Sequence, residues 1–465
     1  MTTAKADDIF QSIILAGHSS KPVATSPVVD PSNETDSVSK LDAAAVSASS
    51  TETATFPSPS NVATQEGPAG IRYDFNEGVR VTVPKGIWRV RLTDLDTDAV
   101  IFDGEGSDAT FQSRKKHYLN ARIEVFQAGL LVFSHDYDAQ GKKIAILMAG
   151  NTIGDTAGWV PYAVRFARDH ACELTVMVSA QMKELLSASC PNIRFVEKHE
   201  FSALKDEFYA TYYIGLFFGD EDNTWQPADF RIVGLHRTAG YILGVSPEEE
   251  PLHLDIPDER PIEEPYVVIA SQASAQCKYW NNPTGWYDVV EFLKRSGYRV
   301  ICIDREIKYG QGLHWNQIPH NAEDETGARP LRERLQWLKH AEFFVGLSSG
   351  LSWLAWAADT PVVMISGFTH PINEFQTPYR VFNTNTCNSC WHDIRHPFIH
   401  SDFLFCPRHA GTSRQFECTR NITSGQVIRT IKAVMLEHPR ESAHRSSEEI
   451  VKRSSRARGS SGSAF

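Results

Sequence analysis

The feature that most constrains this fold is a succession of short apolar runs separated by amphipathic segments. The amphipathic segments carry apolar residues at helical spacing, as Trp286, Val289, Val290 and Leu293 do at positions i, i+3, i+4 and i+7. Runs without polar alternation are typical of parallel strands that are covered on both faces. The pattern therefore predicts two α/β domains, with ligands at the carboxyl ends of the strands. The runs span residues 144–148, 174–178, 193–196, 214–218, 266–270, 299–303, 343–345 and 361–365.

The region before these runs has a different periodicity. At 79–83, 88–92 and 123–126, apolar and polar residues alternate, which is typical of strands with one exposed face. Pro84 and Gly86 separate the first two of these runs. The pattern predicts a small antiparallel β domain ahead of the two α/β domains.

Composition predicts the domain boundaries, because 465 residues are more than one hydrophobic core usually supports. Residues 1–66 are rich in Ser, Thr, Ala and Val, and residues 441–465 have a similarly low-complexity composition. Both segments are predicted to be disordered, since they bury too little apolar surface to offset their ordering entropy. Between them we predict the β domain at 67–140, a first Rossmann-like domain at 141–246, a Pro- and Glu-rich linker at 247–265 and a second Rossmann-like domain at 266–440.

Charge and hydropathy disfavour several classes of protein. The net charge of −11 argues against a nucleic-acid binder, whose footprint would be basic. No apolar run is long enough to span a bilayer, so no membrane span is expected. The short run at 10–17 follows Asp7 and Asp8, which is a poor match to a signal peptide. We therefore expect a cytoplasmic protein, in whose reducing compartment clustered cysteines more often bind metal than form disulfides.

Four of the eight cysteines form a C-x2-C-x15-C-x11-C pattern made of Cys387, Cys390, Cys406 and Cys418. This pattern predicts a Cys₄ metal finger over residues 385–420. The composition of this segment is loop-like, so a bound metal would be needed to stabilise it. Closed thiolate sites are structural, and zinc is the default metal from chemistry alone. The other cysteines lie in or beside predicted strands and helices, and we expect them to be small core residues.

Three loops that follow predicted strands carry residues suited to chemistry. In 151–156, Asp155 is either a helix N-cap or a general base that accepts a proton from an attacking hydroxyl. In 274–280, Lys278 is either an exposed loop lysine or a point charge for a phosphate. The loop 346–352 is either a tight turn or a set of backbone N–H groups that hold a pyrophosphate at a helix N-terminus.

Taken together, these motifs resemble one known family. From about Ile71 to Val427 the chain resembles the bacterial autotransporter heptosyltransferases, which are relatives of the lipopolysaccharide heptosyltransferases of glycosyltransferase family nine. The resemblance rests on the four cysteines and on the motifs at 154–156, 234–241, 277–282, 346–356 and 367–375.

The resemblance implies a GT-B fold, with donor and acceptor meeting in the cleft between two Rossmann-like domains. It also implies inverting transfer from ADP-D-glycero-β-D-manno-heptose, with Asp155 as the catalytic base and Lys278 on the donor phosphate. The lipopolysaccharide branch has an Asp in place of Ser348 and a His in place of Trp353, so sugar contacts known from that branch do not carry over at these positions. The further donor-contacting positions that it implies are Thr152, Ile153, Gly154, Ser274, Asp304, Ser348, Ser349, Gly350 and Leu351.

For metal and partners, the resemblance implies a ferric iron on the four cysteines, a large ring-like homo-oligomer and no catalytic metal. The implied acceptors are serines in the passenger domains of autotransporter adhesins. Two alternatives stay open. One is a lipopolysaccharide-type heptosyltransferase with a sugar acceptor, against which the Cys₄ segment and the β domain argue. The other is a metal-stapled scaffold that binds a nucleotide sugar without turning it over.

Overall fold

The computed structural model describes residues 56–149 and 152–439. The predictions of disorder for 1–55 and for the tail lie outside the described residues. The prediction was wrong for residues 56–66, which pack against the first α/β domain. The Phe56 ring lies 5.0 Å from that of Tyr213, and Thr64 Oγ1 donates to the Phe208 carbonyl at 2.7 Å. The disorder prediction used the average composition of residues 1–66, which does not show the contribution of a single aromatic residue such as Phe56.

Beyond residue 142, α-helices connect most of the successive strands of the two α/β sheets. The strands are β1 (Gln65–Glu66), β2 (Arg72–Asn76), β3 (Arg80–Val83), β4 (Trp88–Asp94), β5 (Ala99–Gly106), β6 (Ala109–Gln112), β7 (Ala121–Gln127), β8 (Leu130–Asp136), β9 (Lys143–Met148), β10 (Glu173–Met177), β11 (Arg194–Val196), β12 (Ala210–Ile214), β13 (Tyr266–Ile269), β14 (Arg299–Cys302), β15 (Lys308–Gln311), β16 (His314–Gln317), β17 (Glu323–Asp324), β18 (Phe344–Leu347), β19 (Val362–Ile365) and β20 (Arg380–Val381). The α-helices are α1 (Ile153–His170), α2 (Ala180–Ser189), α3 (Lys198–Leu204), α4 (Phe230–Val233), α5 (Arg237–Leu243), α6 (Gly285–Arg295), α7 (Leu331–Lys339), α8 (Gly350–Ala357), α9 (Glu417–Arg420) and α10 (Ser424–Glu437). Short 3₁₀ helices span Pro68–Gly70, Gln276–Lys278, Pro371–Asn373 and Cys390–His392.

The first α/β sheet incorporates strands from the N-terminal region. Its order is β11-β10-β9-β12-β2-β3-β6, with β1 on β2, and β2 runs parallel to β12. The remaining N-terminal strands form a separate antiparallel sheet in the order β5-β4-β7-β8. Backbone hydrogen bonds between β2 and β12 therefore cross the domain boundary that we predicted at residue 140. The sequence does not show this, because long-range strand pairing leaves no trace in local periodicity.

The position of β12 corrects one predicted strand. We predicted a strand at 214–218, whereas the structure has it at Ala210–Ile214, with all five residues buried. Two side-chain hydroxyl groups of this strand have partners that sequence periodicity does not show. Thr211 Oγ1 donates to Asn76 at 2.6 Å, and the Tyr212 hydroxyl donates to that of Tyr137 at 3.0 Å. Buried hydroxyl groups are tolerated when they are hydrogen-bonded in this way.

The second α/β sheet is parallel throughout, in the order β17-β14-β13-β18-β19-β20. The predicted strands and helices of this half are confirmed, with ends shifted by one or two residues. An exposed hairpin, β15–β16, leaves the sheet between β14 and β17. No helix within the described ranges combines the length and the apolar character that crossing a membrane would require. The two α/β units together confirm the predicted GT-B architecture.

Candidate active site and cysteine cluster

Asp155 lies in the first turn of α1, immediately beyond β9. The N-cap of this helix is Thr152, so the alternative that Asp155 caps the helix is wrong. Its carboxylate instead sits three residues inside the helix, where the positive end of the helix dipole favours a negative charge. The side chain is only partly exposed. The structure thus places a carboxylate at the carboxyl end of a parallel strand, where ligands of such sheets bind.

The surroundings of Asp155 act on its pKa in opposite directions. Burial raises the pKa of the carboxyl above its ordinary value, whereas a hydrogen bond from Thr152 and the positive charges of Lys278 and His400 work against that rise. Lys278 belongs to the second domain, so this electrostatic contact spans the cleft. His400 lies in the cysteine-rich segment, and sequence reasoning did not single it out. A raised pKa brings a carboxylate closer to the working pH of a general base, so the upward shift is compatible with that role.

The helix starts of α1 and α8 meet at two glycines. An added Cβ at Gly154 would lie 3.0 Å from Trp353 Cδ1 and 3.3 Å from Gly350 Cα. An added Cβ at Gly350 would lie 3.0 Å from Ile153 Cβ. A side chain at either position would have to displace these neighbours by a few tenths of an ångström. Two helix N-termini from different domains therefore converge, and their unpaired N–H groups favour an anion between them.

The hydroxyl groups at the start of α8 differ in their engagement. Ser348 Oγ donates to the Glu374 carboxylate, which also accepts from Thr369 Oγ1 at 2.6 Å and pairs with Arg380 at 2.9 Å. Ser349 Oγ is buried, and within 56–149 and 152–439 it has no hydrogen-bond partner. Leu351, the next predicted contact after Gly350, is partly exposed. Of the predicted donor contacts on this loop, Ser349 is thus the one with an unused polar atom.

The loop after β13 contains two further predicted donor contacts, Ser274 and Lys278. Ser274 is exposed and Lys278 is half-buried at the end of a 3₁₀ turn. Asp304, by contrast, has its buried carboxylate occupied within the protein. It accepts from Ser271 N at 2.8 Å, from Ser271 Oγ at 2.7 Å and from Gln272 N at 3.1 Å. Asp304 therefore stabilises the conformation of this loop. Because its carboxylate oxygens already accept these hydrogen bonds, few acceptor positions remain for a ligand.

The four predicted ligand cysteines converge on one small cavity, and all eight cysteines of the chain are free. Cys277, which we expected to be only a core residue, is buried but also lines this cavity. A second donor set lies at its edge: ligand atoms of Cys387, His409 and Glu417 are within 4.8 Å of one another. Glu417 already accepts two hydrogen bonds from Arg414, at 2.8 and 2.6 Å. The thiols are therefore the better-available ligands, and Glu417 also accepts a hydrogen bond from Cys387 N at 3.1 Å.

Hydrogen bonds also join the two α/β domains directly. The residues that form them had no role in the predictions from sequence. His236 Nε2 lies 3.0 Å from one Glu249 carboxylate oxygen, and the other oxygen accepts from Gln376 N at 3.1 Å. Leu235 N donates to Asn373 O at 3.1 Å. The motif at 234–241 is one of those on which the family resemblance rests. Its contact with the second domain becomes visible only in the fold.

Gly234 is the tightest point of this contact. Its φ is +98°, and an added Cβ would overlap the Ile372 carbonyl oxygen. We expect Gly234→Ala to lower the melting temperature markedly, since an unsuitable positive φ alone costs more than about 1 kcal/mol. Thermal unfolding of Gly141→Ala provides the control, because Gly141 has φ +63° and open space around it. Equal shifts in both variants would contradict the inter-domain overlap.

Comparison with known proteins identifies the family. Residues 67–129 match the family described as glycosyltransferase TibC, N-terminal domain, and residues 243–396 match glycosyltransferase family 9 (heptosyltransferase). The autotransporter heptosyltransferase BAHTCr of Citrobacter rodentium is 50% identical over 374 residues, covering 80% of this chain and 91% of that protein. A relative from Burkholderia thailandensis, named inactive autotransporter heptosyltransferase BimC, is 42% identical over 383 residues, covering 82% of this chain and 89% of its own length.

Two crystal structures of TibC from Escherichia coli share the fold of this chain. The iron-containing dodecameric glycosyltransferase superposes with a TM-score of 0.78 at 48% identity, over 82% of this chain and all of that one. Its complex with ADP-D-beta-D-heptose superposes with a TM-score of 0.79 at the same identity and coverage. The chain described here therefore belongs to the autotransporter heptosyltransferases of glycosyltransferase family 9.

Proposed function

We propose that this protein transfers heptose from ADP-D-glycero-β-D-manno-heptose to serine side chains of an autotransporter passenger domain, with inversion at the anomeric carbon. The observation that carries the proposal is the meeting of Asp155, Lys278 and the N-terminus of α8 in one inter-domain cleft. The relatives named above support the donor and the class of acceptor. The match of residues 67–129 to the TibC N-terminal domain favours a protein acceptor over a lipopolysaccharide sugar.

In this mechanism Asp155 accepts the proton of the serine hydroxyl as its oxygen attacks the anomeric carbon. The new carbon–oxygen bond forms on the face opposite the breaking bond to the diphosphate, which leaves as ADP. Negative charge then gathers on the departing diphosphate. Lys278 and the N–H groups at the start of α8 stabilise that charge where it develops. The cleft holds both substrates together, which removes much of the entropic barrier.

The pH dependence of kcat/KM tests the assignment of the base. Asp155 accepts a proton only when it is ionised, so activity is full above its pKa and falls as the pH drops through it. Because burial raises this pKa, the acid limb should lie above pH ~4, the ordinary value of an aspartate. Initial rates measured across a pH series, with circular dichroism to exclude unfolding, give this limb. A limb at the ordinary value, or rates that rise toward acid, would count against Asp155 as the base.

We propose that the cysteine cavity holds ferric iron through Cys387, Cys390, Cys406 and Cys418. The iron-containing relative TibC supports iron as the metal. The thiols fit such a group, since they are free and line one cavity. The metal would close the loops of residues 385–420, and the four protein ligands leave no position for substrate. Elemental analysis of the purified protein decides between iron and zinc, and a metal-free active protein would contradict the proposed site.

Assembly and location follow from the same relatives and from the thiols. We propose a large homo-oligomer, because TibC is dodecameric. We propose the cytoplasm as the location, since free thiols persist in a reducing compartment. Light scattering of the purified protein tests the oligomer, and a monomer at micromolar concentration would contradict it.

The linkage in the product tests the stereochemistry and the acceptor together. Inversion of a β-configured donor yields an α-linked heptose, which the one-bond coupling at the anomeric carbon reports in NMR spectra. Fragmentation mass spectrometry of the modified passenger then locates the sugar on individual residues. A β-linkage would exclude inversion, and modification away from serine would exclude the proposed acceptor. Transfer to a lipopolysaccharide core alone would support the sugar-acceptor alternative.

A further inference from the structure

The cysteine-rich segment supplies two aromatic rings to the donor lysine. The Lys278 ammonium lies 5.3 Å from the centroid of the Trp391 ring and 5.8 Å from that of Phe398. Trp391 directly follows the predicted metal ligand Cys390. Ring faces attract an ammonium group electrostatically and leave its N–H donors available to an anion.

Trp391 is itself held by packing. It is 6% exposed, and its ring lies 5.4 Å from Phe218 of the first domain, 6.0 Å from Phe368 and 5.1 Å from Phe398. Its indole nitrogen is buried without a hydrogen-bond partner in the described ranges. Phenylalanine at this position would therefore keep a ring face and lose no hydrogen bond.

The loop that carries Lys278 is attached to the same segment on the side before the lysine. Gln276 N donates to the Phe403 carbonyl at 2.8 Å, and Cys277 lines the cysteine cavity. The cysteine segment thus fixes both the backbone that precedes Lys278 and the end of its side chain.

The Lys278 ammonium interacts electrostatically with Asp155 across the cleft but forms no ion pair with it. Among residues 56–149 and 152–439, no carboxylate lies within ion-pair distance of Lys278 Nζ. A lysine that is oriented by rings and has no ion-pair partner among the described residues keeps its N–H donors available to a diphosphate.

We propose that Trp391 and Phe398 are positioning residues that orient the Lys278 ammonium toward the diphosphate of the donor. The cysteine segment is then a wall of the donor site as well as a metal-held loop. The inference rests on the proposed function, in which Lys278 binds the donor phosphate.

Calorimetric titration of the metal-loaded full chain with ADP and with adenosine tests the inference. Trp391→Leu keeps apolar bulk but removes the ring face, and Trp391→Phe keeps a face. We expect Trp391→Leu to raise the Kd for ADP about two- to thirtyfold, the range that a cation–π contact spans. The Kd for adenosine and the metal content should stay unchanged, and Trp391→Phe should stay close to the unsubstituted protein.

The Lys278→Gln background separates positioning from packing. If Trp391 acts through Lys278, adding Trp391→Leu to Lys278→Gln should weaken ADP binding no further. An unchanged ADP Kd in Trp391→Leu, an equal weakening for adenosine, or full additivity in the double variant would each overturn the inference while leaving the role of Lys278 intact. An unchanged ADP Kd in Lys278→Gln alone would overturn the phosphate role of Lys278 and with it the inference.

Discussion

Replacing Asp155 by asparagine should nearly abolish transfer while leaving ADP binding in place. Asparagine matches the shape of aspartate but cannot accept the proton of the acceptor hydroxyl. Loss of a general base typically costs about 10²- to 10⁴-fold in rate. Neither the helix dipole of α1 nor the burial of residue 155 depends on the negative charge of the carboxylate. The fold should therefore persist in the variant. Initial rates with saturating ADP-heptose and calorimetric ADP binding measure both parts of the prediction.

A matched control lies on the same helix. Asp169, near the end of α1, is exposed and pairs with its neighbour Arg168 at 3.0 Å. Exposed pairs of this kind contribute little to stability. Asp169→Asn should therefore leave the rate unchanged. Retention of more than about a tenth of the rate by Asp155→Asn would remove the base from the mechanism.

Replacing Lys278 by glutamine is the second large expected effect. Glutamine keeps length and polarity but no positive charge, so the departing diphosphate loses the charge that stabilises it. Removal of one such stabilising donor typically lowers kcat about 10²- to 10³-fold. We also expect weaker ADP binding, because the same ammonium contacts the diphosphate in the ground state. Steady-state kinetics and ADP titration measure the two effects separately.

Lys432 provides the control for that substitution. Its ammonium also lies against an aromatic ring, 5.6 Å from that of Phe292, but it belongs to α10, which packs against α6, β19 and β20. Lys432→Gln should leave kcat and ADP binding unchanged. Similar losses in both variants would indicate a general effect of charge and contradict the specific role of Lys278.

The sequence predicted most of the second α/β domain because its four central strands, β14, β13, β18 and β19, lie in largely apolar runs. It failed at β12, where Thr211 and the buried tyrosines Tyr212 and Tyr213 interrupt the apolar pattern. The hydroxyl groups of Thr211 and Tyr212 donate to residues more than 70 positions away in sequence, Asn76 and Tyr137. The continuation of the first sheet into the N-terminal strands escaped prediction for the same reason. Long-range pairing is invisible to local periodicity.

In the candidate site, too, local sequence patterns indicate some residues and miss those that long-range contacts bring in. Asp155 and Lys278 were predictable, because loops at the carboxyl ends of parallel strands meet at one edge of a sheet. Cys277 beside the cysteine cavity and Trp391 against Lys278 were not, since these contacts join segments more than 100 residues apart. His409 offered a weak signal, as it lies between Cys406 and Cys418. Asp304 was expected to contact the donor from the resemblance alone, and that expectation stays a prediction, while the structure adds its hydrogen bonds to Ser271 and Gln272.

Intact-mass spectrometry of a serine-rich autotransporter passenger fragment tests the central claim most directly. The fragment is incubated with ADP-heptose and with either the metal-loaded protein or its Asp155→Asn variant. We expect mass additions in whole-heptose steps with the unsubstituted protein, and almost none with the variant. No addition by folded, metal-loaded protein would contradict the account and would give this chain the property by which its Burkholderia thailandensis relative is named.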